Sequence, residues 1–129
     1  MIVDLEEKTE CGSFELKGGG KVHLRLLTGT DIKEMRKACL SNIVEYPLLD
    51  GKYQRFEGTK FDEELWESMK WDRGITGWDN LFDCNKKAIP VTPENKALLM
   101  ERVMEFRLAV ENGLKALKEA EAEKEKEKN

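Results

Sequence analysis

The stretch Ser13-Phe14-Glu15-Leu16-Lys17-Gly18-Gly19-Gly20-Lys21-Val22-His23-Leu24-Arg25-Leu26-Leu27 decides the fold class. On both sides of the triple glycine, apolar and polar residues alternate, as they do on a strand with one buried face. Val22, Leu24 and Leu26 fall on one side; Lys21, His23 and Arg25 fall on the other. Glycine adopts the positive φ of a tight turn at little cost, so the stretch predicts a β-hairpin. Two strands alone are marginal in water, so this hairpin must pack on helices.

The chain downstream supplies them. Thr28-Gly29-Thr30-Asp31 opens a helix, with Thr28 or Thr30 as cap and an acid in the first turn. Ile32, Met35, Cys39 and Ile43 then recur at helical spacing, which carries this helix toward Pro47. Asp50-Gly51, set between Val44–Leu49 and Lys52–Phe56, is a turn signal and predicts a small hairpin or an irregular excursion. Thr59-Lys60-Phe61-Asp62 opens a second helix with Phe61, Leu65 and Met69 on its face and Trp66 alongside, ending near Arg73-Gly74. Ile75 to Val91 reads as irregular.

Thr92 caps the third helix and Pro93 takes its first position, where the missing N–H costs nothing. Leu99, Val103, Phe106, Val110, Leu114 and Leu117 follow three or four apart, and Met100, Met104 and Leu108 form an adjoining row. At 1.5 Å per residue, a helix from Pro93 to Leu117 runs to roughly 37 Å. The expected fold is therefore α+β: an N-terminal β-hairpin packed on a mainly helical domain of about three helices, the C-terminal one long. It forms one domain over residues 1–117. Residues 118–129 are a charged Lys/Glu tail, expected to be a frayed helix or disordered.

Composition narrows the function. Lys and Arg number 22 against 26 Asp and Glu, a net charge of −4, and the two signs interleave along the chain. A nucleic-acid binder needs a basic stripe that displaces counterions from phosphates, so no nucleic-acid partner is expected. Cys11, Cys39 and Cys84 are odd in number and form no C-x-x-C pair, which fits a reducing compartment and predicts a cytoplasmic protein. Met1 to Lys8 hold no basic n-region and no long apolar run, against a signal peptide. No apolar stretch approaches the ~20 residues of a membrane span.

Site chemistry is equally sparse. His23 is the sole histidine, placed on the outer face of a strand, and the sequence shows neither the carboxylate nor the nucleophile that a general base needs. Asp79, Asp83 and Asn85 miss the spacing of a calcium loop and read as a polar turn. Glu63, Glu64 and Glu67 complement a helix dipole. The expectation is a non-enzymatic protein with no catalytic residues, cofactor or metal.

What the sequence offers instead is surplus apolar surface. Trp66, Trp71 and Trp78 cannot share one helical face, and tryptophan is enriched at binding hot spots. Met100, Met104 and Leu108 widen the long helix's stripe beyond what one contact covers, and methionine suits adaptable surfaces. These six residues are the candidate partner-binding set, with a homo-oligomer expected through Met104 and Leu108.

Two stretches carry a resemblance: Phe14–Leu16 with Lys21–Asp31, and Ile75-Thr76-Gly77-Trp78-Asp79-Asn80-Leu81 with Ala88-Ile89-Pro90-Val91-Thr92-Pro93-Glu94-Asn95-Lys96. Together they resemble the tail assembly chaperones, and related small tail components, of long-tailed bacteriophages. Members often carry glycine in the loop where this chain has Asn85-Lys86-Lys87. The resemblance implies a protein of the bacterial host cytoplasm that escorts the tape-measure protein and recruits tail-tube subunits. The alternative it leaves open is a structural tail-completion or connector protein retained in the virion.

Overall fold

A computed structural model describes Met1 and residues 9–128; the stretch 2–8, in which no signal peptide was read, lies outside the described residues. In chain order the elements are β1 (Cys11–Glu15), β2 (Lys21–Arg25), α1 (Gly29–Cys39), β3 (Leu40–Glu45), β4 (Leu48–Leu49), β5 (Lys52–Tyr53), β6 (Phe56–Phe61), α2 (Glu63–Gly74), β7 (Ile75–Asp79), α3 (Pro93–Arg102) and α4 (Met104–Lys128). The class is α+β, with the N-terminal hairpin and the long C-terminal helix in place. The described residues hold four helices rather than three, and more β-structure than one hairpin.

β1 and β2 pair antiparallel about the glycine turn, Phe14 opposite Val22 and Ser13 opposite His23. Ile75 to Asp79, read above as irregular, is a third strand: β7 pairs antiparallel with the far edge of β2, in the order β1-β2-β7. Trp78 stands opposite Val22 and Ile75 opposite Leu24, with a register shift between His23 and Leu24. That shift puts Ile75 and Trp78, three residues apart, on the buried side, so clean alternation is lost and the strand is hidden from a period-2 reading.

The first helix is shorter than its apolar spacing suggests. Thr28 and Asp31 form a reciprocal capping box at its start, and it ends at Cys39 with Leu40 already extended. The run Leu40–Glu45 leaves the body as β3 and returns as β6, Leu40 opposite Phe61 and Glu45 opposite Phe56. Ile43, assigned above to a helix face, lies in this ribbon. At its tip Asp50 and Gly51 both take positive φ (51° and 77°), as a two-residue hairpin turn of the mirror-image type requires.

The long helix is broken. α3 starts as read, Thr92 Oγ accepting from the Asn95 N–H and Pro93 in the first turn, but Val103 is extended (φ −115°, ψ 100°) and α4 sets off in a new direction. The physical reason lies in the partners. α3 packs on α2, whereas α4 packs on β1 and β2. Met100 and Phe106 are six residues apart, so on one straight helix they would point about 120° apart. The break lets both turn inward: Met100 is 3% exposed and Phe106 1%. They join Val22, Leu24, Leu26, Ile75, Trp78, Val110 and Leu117 in one core.

α4 approaches the sheet closely because Gly113 faces it. A Cβ there would lie 2.7 Å from Leu24 Cδ1 and 2.8 Å from Phe14 Cδ2. Leu24 is fully buried and has nowhere to move. Gly113→Val is expected to cost about 2 kcal/mol through overpacking, in spite of valine's better helix propensity. A urea melt checks it; an unchanged midpoint would mean that α4 can ride outward freely. Beyond Leu117, α4 continues through the Lys/Glu tail to Lys128, and Lys124 Nζ meets Glu10 Oε1 at 2.6 Å.

Candidate functional site

The six residues singled out for partner binding separate into three pairs. Trp78 and Met100 belong to the monomer core. The Trp78 indole N–H donates to the Ile89 carbonyl at 2.8 Å, and its ring meets Phe106 edge-on, 5.9 Å between centroids at 86°. Trp71 packs half-buried against that core. Trp66 is half-buried at the surface, tilted on Phe61 with centroids 5.4 Å apart, and lines a cleft of about 340 Å3 with Leu26, Ile32 and Leu114.

Met104 and Leu108 are on the outside, 67% and 49% exposed. The break at Val103 is the cause: turning Phe106 and Val110 to the sheet turns Met104 and Leu108 away from it. Leu98 and Val103, at the end of α3 and at the break, are also exposed and border a cleft of about 500 Å3 whose other walls include Ile89, Pro90 and Leu99. Polar groups at its rim are Asp83, Asn95 and Arg102. The result is an apolar ledge at the α3–α4 junction, the first of two exposed apolar surfaces.

The second surface was legible only as a turn. The β3–β6 ribbon, with β4 and β5 at its end, has every residue exposed except half-buried Ile43. Around its outer half stand Val44, Tyr46, Leu48, Leu49, Tyr53 and Phe56, with Tyr53 75% exposed. Strand propensity explains the aromatic and β-branched content. It does not explain why so many large apolar groups face water, and exposed patches of this kind mark interaction sites.

A polar constellation also emerges that the sequence reading missed. Ser13 Oγ lies 2.7 Å from His23 Nδ1, and Asp79 Oδ2 lies 2.8 Å from His23 Nε2. The hydroxyl and the carboxylate sought for His23 are therefore both present. The network fits an imidazole whose Nε2–H donates to Asp79 while Nδ1 accepts from Ser13. The Ser13–His23 pairing follows from a hairpin centred on Gly18, so the turn could have found it; Asp79 depended on recognising β7. The trio spans all three strands on the solvent side of the sheet, and the Asp79 side chain is 61% exposed. It ties the strands together across their outer face, where water competes for each bond.

The buried charges act as ties between elements. Asp31 accepts from Arg25 at 2.7 and 3.2 Å, from Arg73 at 3.2 Å, and from the Thr28 N–H and hydroxyl at 2.8 and 3.0 Å. Hydrogen bonding from Arg25 holds its carboxyl well below the usual carboxylate range, against the opposing effect of burial. Arg73 also meets Glu34 at 2.7 Å; that bond first, then Asp31, raises the guanidinium's affinity for its proton. Lys96 is buried and donates to the Asp72 carbonyl (2.8 Å) and carboxylate (3.0 Å), pinning α3 to α2. Burial pushes the Cys39 thiol up, so it behaves as a packing residue.

The segment that carries the phage resemblance is scaffold. Asn95 donates its side-chain amide to the Pro90 carbonyl at 2.9 Å, which fixes the approach to the Thr92 cap. In the loop before it, Lys86 takes φ 60°, the region that favours glycine, and Asp83 Oδ1 accepts from the N–H groups of Asn85 and Lys87 on either side. Among the described residues, no cluster of three or more His, Cys, Asp or Glu could hold a metal ion, and no helix is long and apolar enough to cross a membrane. Comparison with known proteins finds no family model, no curated sequence and no solved structure that matches the chain.

Proposed function

We propose that this chain is a non-enzymatic protein-binding factor of phage tail morphogenesis, which escorts the tape-measure protein and recruits tail-tube subunits in the bacterial host cytoplasm. The observation that carries the reading is the apolar ledge at the α3–α4 junction. Leu98 and Val103 are exposed and line a cleft with Ile89 and Leu99, and Met104 and Leu108 are exposed in the first turns of the helix that follows. A ledge and cleft of that kind suit the apolar face of a client helix, and methionine adapts to varied partners. The phage context rests on the two resembling stretches, Phe14–Leu16 with Lys21–Asp31 and Ile75–Leu81 with Ala88–Lys96.

Co-expression with the tape-measure and tail-tube proteins encoded beside it tests the reading. The chain should co-purify with the tape-measure protein, and Met104→Glu with Leu108→Glu should abolish this without unfolding the chain. Mass spectrometry of finished particles should then find none of it. Presence there at fixed stoichiometry would make it a tail-completion or connector protein instead. Binding to neither partner would end the phage reading altogether.

A further inference from the structure

A single residue separates α3 from α4. Helical hydrogen bonds run up to it from both sides: the Val103 N–H donates to the Leu99 carbonyl, and the Val103 carbonyl accepts from the Arg107 N–H, each at 3.0 Å. Only the Val103 torsions, φ −115° and ψ 100°, make two helices of one. They lie in the ordinary β region, where a β-branched residue rests without strain. The Val103 side chain is exposed, so what holds the break is the packing of the helices on either side, α3 on α2 and α4 on β1 and β2.

A helix end leaves its last carbonyls, and a helix start its first N–H groups, without partners inside the helix. Straightening at Val103 would pair these groups and fuse Pro93–Lys128 into one helix of roughly 54 Å. Within a single chain this is prohibitive, because Phe106, Val110 and Leu117 would leave the core. Between two chains no core contact is lost. Each α4 would take the same place on β1 and β2 of the other copy, with Gly113 again facing Leu24 and Phe14. The sides taken by Met100 and Phe106, about 120° apart on a straight helix, then suit a helix that serves two bodies. What α4 would dock on is therefore a surface that already receives it in the folded chain.

We infer that Val103 is a hinge through which two copies of this chain exchange α4, forming a domain-swapped dimer around two straightened helices. Exchange of an identical element is a low-cost route to a dimer, since each contact within the chain is made again between chains. The exchange also rebuilds the α3–α4 junction, because Val103 and Met104 become mid-helix residues. The inference goes beyond the client-binding reading and stands independently of it.

Refolding the full chain from urea at high micromolar concentration, with no client present, tests it. Light scattering should find a species at twice the monomer mass. Carbodiimide cross-linking of isotope-labelled and unlabelled copies refolded together reads the exchange, because Lys124 Nζ meets Glu10 Oε1 at 2.6 Å. In the dimer this link should join two copies, and in the monomer it should stay within one. Val103→Ala favours helix at the hinge and should raise the dimer association constant about tenfold, from about threefold at each of the two hinges. Met104→Pro should run as a monomer with an unchanged thermal transition, since the side chain it replaces is exposed. Proline suits the first position of α4 and keeps the residue before it extended, so it fits the broken form and forbids the straight one. A wild type that refolds only to monomer overturns the inference, as does a dimer whose Glu10–Lys124 links all stay within one copy. Equal dimerisation by Met104→Pro overturns it too. Should Met104→Pro fail to fold, the links in the wild-type dimer decide alone.

Discussion

Asp31→Ala should lower the unfolding free energy by about 3 kcal/mol, or roughly 10 °C in melting temperature for a chain of this size. Removing one member of a buried ion cluster strands the others. Here Arg25 from β2 and Arg73 from α2 both lose their shared carboxylate, and the helix α1 loses half of its capping box. The figure sits at the lower end of the usual range because both arginine side chains are a quarter exposed and Arg73 keeps Glu34. Acid should act on the same group. Its folded-state pKa is depressed, so its contribution is complete above the unfolded value of about 4 and is lost as pH falls from there toward the folded value. Urea melts at neutral pH and at about pH 3 check both effects. Wild type should lose more stability on acidification than Asp31→Asn; parallel losses would show that other carboxylates govern the acid transition.

Phe106→Ala should cost more, about 3–5 kcal/mol. The ring sits in the first turn of α4, is almost fully buried, and meets Trp78 edge-on. It also holds the point at which the chain turns from α2 to the sheet, so the cavity left behind cannot be filled by sliding one helix alone. Leu108→Ala, half a turn away on the exposed side, should stay within about 0.5 kcal/mol. Equilibrium denaturation of the pair gives the contrast. Similar losses for the two would mean that α4 is rotated from the orientation described, which would also remove the ledge on which the functional reading depends.

The hairpin and the first and third helix starts were legible because their signals are local, whereas Thr59 to Phe61, read as opening the second helix, belong to β6 and only Asp62 caps that helix. Alternation in Lys21–Leu26, the triple glycine, the helix start at Thr28–Asp31 and the Thr92-Pro93 start each bring together residues a few positions apart, and each is found where it was read, Thr28 rather than Thr30 being the first cap. The exit of α1 was misread for the opposite reason. Ile32, Met35, Cys39 and Ile43 keep helical spacing, but Ile43 and Val44 have β-branched side chains suited to a strand, and their partner Gly58–Glu57 lies far along the chain. The candidate site was half legible. Met104 and Leu108 are exposed as expected, whereas Trp78 and Met100 serve the core, and no periodicity distinguishes an apolar residue that is covered from one that is not.

By itself, then, the sequence determined the fold class of the protein: α+β, with a glycine-hinged hairpin, capped helices and a long C-terminal helix. Tertiary structure alone decided the third strand, the break at Val103, the Ser13–His23–Asp79 ladder and the projecting ribbon. Each of these depends on contacts between residues distant in sequence. β7 becomes a strand because β2 has an open edge to pair with, and α3 and α4 part company because one must face α2 and the other the sheet. A local pattern specifies which side of an element is apolar. What meets that side is settled only when the elements pack, and most large apolar side chains of the ribbon, like Met104 and Leu108 at the helix junction, stay exposed.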